Sequence, residues 1–305
     1  MIHIADRNGN VDSVYNTLLR FIDSSKIDIV VVSYSDGFVF NDELLKLKKH
    51  EFIIKDFIEM GWNYNWANHS LDNYHKRFSG DEWKKFHEWV DGKPLACFKR
   101  ELDLPTSTIE GYYPIEYPCL IPPYPIQTRE EFNARPINVF QYWGRSNENR
   151  LRIHGEIWLH SYKKGFQVCD NLYYINQYLQ EERGEKWISL WIPHYARVDI
   201  SELMKVNNLS KLSLSWAGAG FKCFRTSEAP VNSVMVMHKN NFAWAYEWNE
   251  TNCILVDEGN EIEGIEKALL NPNLYDIYLA GMQNVDKYRV QNYLKNYIQP
   301  IIDKL

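Results

Sequence analysis

Short apolar runs alternate with segments of helical periodicity along most of this chain. The run at 27–33, IDIVVVS, is continuous and β-branched, which is typical of a strand buried in a parallel sheet. Similar runs occur at 137–142, 212–216 and 234–237, and a helical pattern follows the first of these at 147–160. Because strands and helices alternate in this way, the sequence predicts an α/β fold with parallel sheets.

Less regular patterns predict the remaining elements. The segment 51–60 fits either a helix or a strand, and an amphipathic pattern at 284–302 predicts one long helix. The other predicted helices lie at 11–22, 41–50, 81–90, 172–182, 201–206 and 261–270, and the other predicted strands lie at 95–98, 187–191 and 253–256.

The segment 104–136 differs in character, since it holds most of the twelve prolines and includes YPIEYPCLIPPYPIQ. Proline cannot donate a hydrogen bond to a sheet and breaks helices, so this segment predicts a connection between domains. We therefore expect a first α/β lobe at 1–125, short or degenerate, and a better-defined second α/β lobe at 126–305. Both lobes are expected to be Rossmann-like.

Composition excludes several classes of protein. A net charge of −6 without a long basic run disfavours nucleic acid as the partner. No apolar run approaches the ~18 residues of a membrane helix, although peripheral membrane contact is left open. The five cysteines show no CxxC spacing, which indicates a reducing compartment. Since Asp6 and Arg7 interrupt any signal peptide, we expect a cytoplasmic protein.

The most informative segment is 212–230, LSLSWAGAGFKCFRTSEAP. It predicts a strand, then a loop with Gly218 and Gly220, then the start of a helix that carries Arg225 and Glu228. Glycines let a backbone approach phosphate closely, and free N–H groups at a helix start favour anions. Arg225 adds a permanent forked cation, and Glu228 can accept hydrogen bonds from a ribose diol. The segment therefore predicts a site for a nucleotide sugar.

Three segments of the second half resemble the donor-binding domain of GT-B glycosyltransferases, especially the exostosin-like ones. They are VFQYWGRSNENRLR (139–152), the segment 212–237, and ILVDEGNEIEGIEKALLNPNLYDIYLAGMQNVDKY (254–288). The resemblance implies a GT-B-like fold and transfer of a hexose from a nucleotide sugar to a hydroxyl of a glycan or glycoconjugate. Two departures are evident: Pro230 stands where the helix would ordinarily continue, and Gly220 leaves no E-x7-E pair ending at Glu228.

The resemblance also implies the residues of the site. Arg225 would bind the donor diphosphate and Glu228 the ribose hydroxyls, with a simple ion pair between the two as the alternative. Arg145, directly after the strand 137–142, would stabilise the leaving diphosphate. The expected donor-binding set is Gly218, Gly220, Arg225, Thr226, Glu228 and Asn241, the last with Asn240 and Trp244 in the loop after the strand 234–237.

The catalytic set expected from the sequence is Asp36, Arg145 and Arg225. Asp36 follows a buried strand and suits a general base on an acceptor hydroxyl, with His69 as a second candidate. No Asp-x-Asp occurs and no His, Cys or Glu cluster has ligand spacing, so we expect neither a metal nor another cofactor.

Two other classes of function remain open at this point. A non-catalytic nucleotide- or carbohydrate-binding α/β protein would bind the donor without releasing nucleoside diphosphate. A sugar-nucleotide-modifying enzyme such as an epimerase would convert the donor without an acceptor.

Overall fold

A computed structural model describes residues 2–4, 28–33, 51–56, 94–99, 102, 104–108, 110–142, 148–165, 167–170, 200–216 and 222–304. The chain divides into two compact units. The first comprises Met1–Pro118, Asn240–Glu247 and Tyr288–Leu305, and the second comprises Cys119–Lys239 and Trp248–Lys287. The first crossing between them, at Pro118, lies within the proline-rich segment, and the domain limits 1–125 and 126–305 stay a prediction.

The first unit contains a parallel sheet in the order β1-β2-β3-β4-β5. Its register pairs Val30 of the second strand with Ile53 of the third. The ambiguous segment 51–60 begins with a strand. The five strands are β1 (Ile2–Ile4), β2 (Asp28–Ser33), β3 (Glu51–Asp56), β4 (Pro94–Lys99) and β5 (Tyr112–Pro114).

The later segments of the first unit surround a buried carboxylate, Glu116. The hydroxyl of Tyr293 donates to Glu116 at 3.0 Å, and the N–H of Ala245 donates to the same carboxylate at 3.3 Å. Burial, with Glu116 beside it, raises the pKa of the Tyr293 hydroxyl well above its usual value. Glu116 therefore ties the start of the proline-rich segment to the 240–247 segment and the C-terminal helices.

The second unit contains a parallel sheet in the order β10-β9-β8-β6-β7. Val139, Leu212 and Val234, on three adjacent strands, are at most 1% exposed, as expected for strands covered on both faces. The strands are β6 (Ile137–Gln141), β7 (Val168–Asp170), β8 (Ser210–Leu214), β9 (Val234–His238) and β10 (Ile254–Val256). The strand order reverses direction between β6 and β8, which is where doubly wound sheets bind ligands.

Several helices of this unit contribute apolar side chains to the core, and Ile153 and Ile265 pack there with the strand residues. The helices are α2 (Arg129–Asn133), α3 (Glu148–Lys164), α4 (Ile200–Asn208), α5 (Phe224–Glu228), α6 (Glu261–Leu269) and α7 (Leu274–Tyr288), after α1 (Leu104–Ser107) in the first unit. The proline-rich segment thus contains two short helices. The second of them begins with a capping box between Thr128 and Glu131.

The prediction of one long helix at 284–302 is wrong. Helix α7 ends at Tyr288, and Arg289 adopts an extended backbone with φ −59° and ψ 137°. The chain then continues in α8 (Val290–Tyr293), a π turn (Leu294–Ile298) and α9 (Gln299–Ile302). The break occurs where the chain leaves the second unit for the first, so a single periodic pattern covers two helical segments with different packing partners.

Several predicted elements lie outside the described residues: the helices at 11–22, 41–50, 81–90 and 172–182, and the strand at 187–191. None of the helices in the described part of the chain is long and apolar enough to cross a membrane.

Candidate functional site

The helix that carries Arg225 is short for a reason present in the sequence. α5 ends at Glu228, and the chain continues as a 3-10 turn over Ala229–Val231. Pro230 lies in that turn and has no N–H to donate to an α-helical bond, so it ends the helix. Arg225 and Glu228 therefore lie on a single short helix that follows the segment with Gly218 and Gly220.

Arg225 reaches across the point where the strand order reverses. Its Nη2 donates a hydrogen bond to the carbonyl of Tyr142, directly after β6, at 2.7 Å. Its guanidinium carbon lies 5.9 Å from the ring centroids of both Phe140 and Tyr142. Because α5 follows β8, this contact joins the carboxyl ends of β6 and β8, the expected ligand edge of the sheet.

The second guanidinium nitrogen, Nη1 of Arg225, is buried. It lies 3.4 Å from Oε2 of Glu228, so the ion pair expected as the alternative is present. Among the described residues, Nη1 has no hydrogen-bond partner. The side chains of Arg225 and Glu228 are 11% and 22% exposed. Glu228 therefore places a partly exposed carboxylate beside a guanidinium that is anchored on the backbone.

Thr226 closes the turn that begins α5. Its N–H donates to the carbonyl of Cys223 at 3.0 Å, and its hydroxyl accepts from the N–H of Cys223 at 3.4 Å. The same hydroxyl lies 3.5 Å from Oγ of Ser215, the residue directly after β8. Thr226 is buried, and its hydroxyl connects the turn that begins α5 to the residue that follows β8.

The other predicted site residues lie in the first unit or outside the described residues. Asn241 lies in the first unit, where its carbonyl accepts from the N–H of Leu104 at 2.9 Å. The neighbouring Asn240 side chain accepts from the indole N–H of Trp244 at 3.3 Å. Gly218, Gly220, Arg145, Asp36 and His69 lie outside the described residues.

Three side chains at the same sheet edge were missed by sequence reasoning. Trp216 follows β8 and stacks on His238, the last residue of β9, with ring centroids 4.5 Å apart. Nε2 of His238 lies 2.9 Å from Oε1 of Glu261, the first residue of α6. The sequence held one signal for this group: His238 is a polar residue at the end of the apolar run VMVMH.

Electrostatics fixes the charge of Glu261. Burial alone would raise the pKa of this carboxyl, but hydrogen bonds from His238, from the Gly259 N–H and from its own N–H lower the pKa to about 2. Among the described residues, no three His, Cys, Asp or Glu side chains come together to hold a metal ion.

No protein-family model matches the chain, and no curated protein sequence matches it. Solved structures match its fold. TarM has 12% identity and a TM-score of 0.56, and the match covers 94% of this chain and 57% of TarM. HepE from Anabaena, in complex with UDP and glucose, has 11% identity and a TM-score of 0.55, with 100% of this chain and 99% of HepE covered.

A third match is the E. coli trehalose-6-phosphate structure bound with UDP-2-fluoro glucose, at 12% identity and a TM-score of 0.52. It covers 94% of this chain and 75% of that one. The fold is that of the GT-B glycosyltransferases. The expected α/β architecture with Rossmann-like parallel sheets is thereby confirmed, and the candidate site lies in the second sheet of that fold.

Proposed function

We propose that this chain is a metal-independent, exostosin-like glycosyltransferase that moves a hexose from a nucleotide sugar to a hydroxyl of a glycan or glycoconjugate. The observation that carries the proposal is the position of Arg225. Its guanidinium is anchored on the Tyr142 carbonyl at the switch point of the second sheet, and its buried Nη1 retains donor capacity among the described residues.

A cation held in this way suits a departing nucleoside diphosphate. The leaving group gains negative charge as the glycosidic bond breaks, and donors fixed beforehand stabilise that charge without reorganising. Arginine presents a planar fork that matches phosphate oxygens, and it remains charged at any physiological pH. Glu228, 3.4 Å from the same guanidinium, would accept hydrogen bonds from the ribose hydroxyls.

The fold supports the class of donor. HepE was solved with UDP and glucose, and the E. coli structure was solved with UDP-2-fluoro glucose. UDP and UDP-glucose are therefore the first probes for this chain. In the proposal, Gly218 and Gly220 approach the diphosphate, Thr226 shapes the turn that carries Arg225, and Arg145 supplies a second cation. Asp36 is the proposed base for an acceptor hydroxyl.

A non-catalytic nucleotide- or carbohydrate-binding protein is the second candidate. The observation that favours it is Gly220, which leaves Glu228 without the acidic partner of an E-x7-E pair. Release of UDP from UDP-glucose separates the two candidates, because a binding module would bind the donor and release none.

The experiment is a thermal-shift screen of UDP, GDP, ADP, CMP and their sugar conjugates, with and without EDTA. A ligand at 100 times its dissociation constant should stabilise the fold by about 2.7 kcal/mol. We expect a selective shift that EDTA does not change and that Arg225→Ala abolishes. The matched control is Arg129→Ala. It removes an exposed arginine of α2 that is paired with Asp276, and it should leave the shift intact.

No shift with any nucleotide would contradict the proposal. A shift that EDTA abolishes would contradict the metal-independent part of it and leave the choice of donor standing.

A further inference from the structure

Trp216, His238 and Glu261 form a continuous chain of contacts along the ligand edge of the second sheet. We call this group the edge triad. Its members follow β8, end β9 and begin the helix after β10, so the group spans three adjacent strands. Ser215, the residue before Trp216, contacts Thr226 of the turn that carries Arg225, with 3.5 Å between the two hydroxyl oxygens.

Glu261 is the fixed end of the edge triad. Its side chain is 1% exposed, and its Oε1 accepts from the Gly259 N–H at 3.1 Å and from Nε2 of His238 at 2.9 Å. Nη2 of Arg152, on α3, lies 3.8 Å away, and Arg152 is itself paired with Glu156 at 2.8 Å. A buried carboxylate held by several donors does not move without losing hydrogen bonds that water cannot replace.

His238 transmits this restraint to an indole. A hydrogen bond from Nε2 to a fixed carboxylate oxygen restrains the imidazole ring. The Trp216 indole stacks on that plane at an interplanar angle of 26° and is 1% exposed. Offset stacking is a favourable arrangement of two rings, so the imidazole restrains the orientation of the indole. Trp216 is also the last residue before the segment that carries Gly218 and Gly220.

We propose that His238 is a positioning residue of the candidate donor site: oriented by Glu261, it fixes the Trp216 indole at the carboxyl end of β8. The inference rests on the proposed function for its effect on turnover. Its structural part, the coupling of His238 to Trp216, can be measured without any ligand.

Two substitutions separate the contacts of His238. His238→Gln keeps a side-chain N–H that can reach Glu261 but removes the ring that stacks on Trp216. His238→Phe keeps a ring for stacking but removes the bond to Glu261. The matched control is Lys239→Gln, which breaks the next residue's exposed ion pair with Asp257 at the same sheet edge.

The measurement uses the full chain labelled with 5-fluorotryptophan, with the Trp216 resonance assigned by Trp216→Phe. We expect His238→Gln to shift the Trp216 resonance and to lower UDP-glucose turnover about tenfold or more, while the Kd for UDP changes by less than about threefold. His238→Phe should retain more turnover than His238→Gln, and Lys239→Gln should change neither quantity.

An unshifted Trp216 resonance in His238→Gln would overturn the inference, and so would an equal shift in Lys239→Gln. If His238→Gln fails to fold, Glu261→Gln, which weakens the same bond and keeps both rings, must shift the resonance instead. If the wild-type chain binds neither UDP nor UDP-glucose, the proposed function fails, and the resonance alone decides the positioning role.

Discussion

Arg225 donates a 2.7 Å hydrogen bond to the carbonyl of Tyr142, a residue 83 positions earlier in the chain. The contact joins the segments that follow β8 and β6, the two neighbouring strands between which the sheet reverses its order. A guanidinium held there by the backbone is oriented before any ligand arrives. Preorganisation of this kind lowers the cost of binding a diphosphate, and the predictions below follow from it and from the surrounding packing.

Glu228→Gln should reduce discrimination between UDP and 2′-deoxy-UDP. If the carboxylate accepts from the ribose diol, removing its charge should lower the ratio of the two affinities roughly tenfold. Titration calorimetry with both nucleotides measures that ratio. Glu263→Gln, which removes an exposed carboxylate paired with Lys267 in the same unit, should leave it unchanged. An unaltered ratio in Glu228→Gln would remove the ribose assignment.

Arg135→Met should destabilise the second unit without altering its ligand edge. Arg135 is 6% exposed and donates to the carbonyls of Ser210 and Asn232 and to the side chain of Gln127. Burial lowers the pKa of its guanidinium to about 10, but it stays charged at neutral pH. Loss of these bonds should cost about 3 kcal/mol or more in urea unfolding.

The control for Arg135→Met is Arg129→Met, whose ion pair with Asp276 is half-exposed and should cost less than about 1 kcal/mol. Equal losses of stability in the two variants would show that the buried hydrogen bonds of Arg135 stabilise the fold no more than an exposed ion pair does.

The stability supplied by Glu261 should depend on pH in the acid range. Its folded pKa of about 2 lies below its ordinary value of 4.5, so the ionised carboxylate stabilises the fold above pH 4.5. That contribution, up to about 3 kcal/mol, is lost as the pH falls from 4.5 toward 2. Urea unfolding of wild type and Glu261→Gln should therefore converge over this range, and a constant difference would contradict the assignment.

Gly281→Ala should destabilise the fold even though alanine favours helices. A Cβ at this position of α7 would lie 2.8 Å from the carbonyl oxygen of Asn252. Backbone cannot yield cheaply, so overpacking should cost about 1–3 kcal/mol and exceed the gain of about 1 kcal/mol in helix propensity. A higher melting temperature for Gly281→Ala would show that the helix shifts freely.

Four of the five strands described in the second sheet were predicted from the sequence to within about two residues, because buried parallel strands are short continuous apolar runs. β7 (Val168–Asp170) was not predicted. The strand predicted at 212–216 is Ser210–Leu214, and that predicted at 234–237 is Val234–His238. The end of α5 was predictable from Pro230, since proline acts through local backbone geometry.

The break within the predicted helix at 284–302 could not be predicted from the sequence pattern. This break, at Arg289, follows from a change of packing partner, which periodicity within one segment does not record. The same limit applies to the site. Arg225 could be predicted from its neighbours, whereas its anchor on Tyr142 and the pairing of His238 with Glu261 depend on strand order and register.

The most direct test of the central claim is UDP affinity, measured by calorimetry, of wild type, Arg225→Ala and Arg225→Lys. We predict that Arg225→Ala weakens binding by roughly 1.5–3 kcal/mol, because a charge-assisted bond to the diphosphate is lost. Arg225→Lys should recover only part of this loss, since a lysine cannot hold the Tyr142 carbonyl and a phosphate with one planar fork. An unchanged affinity in Arg225→Ala would contradict the assignment of Arg225 to the diphosphate.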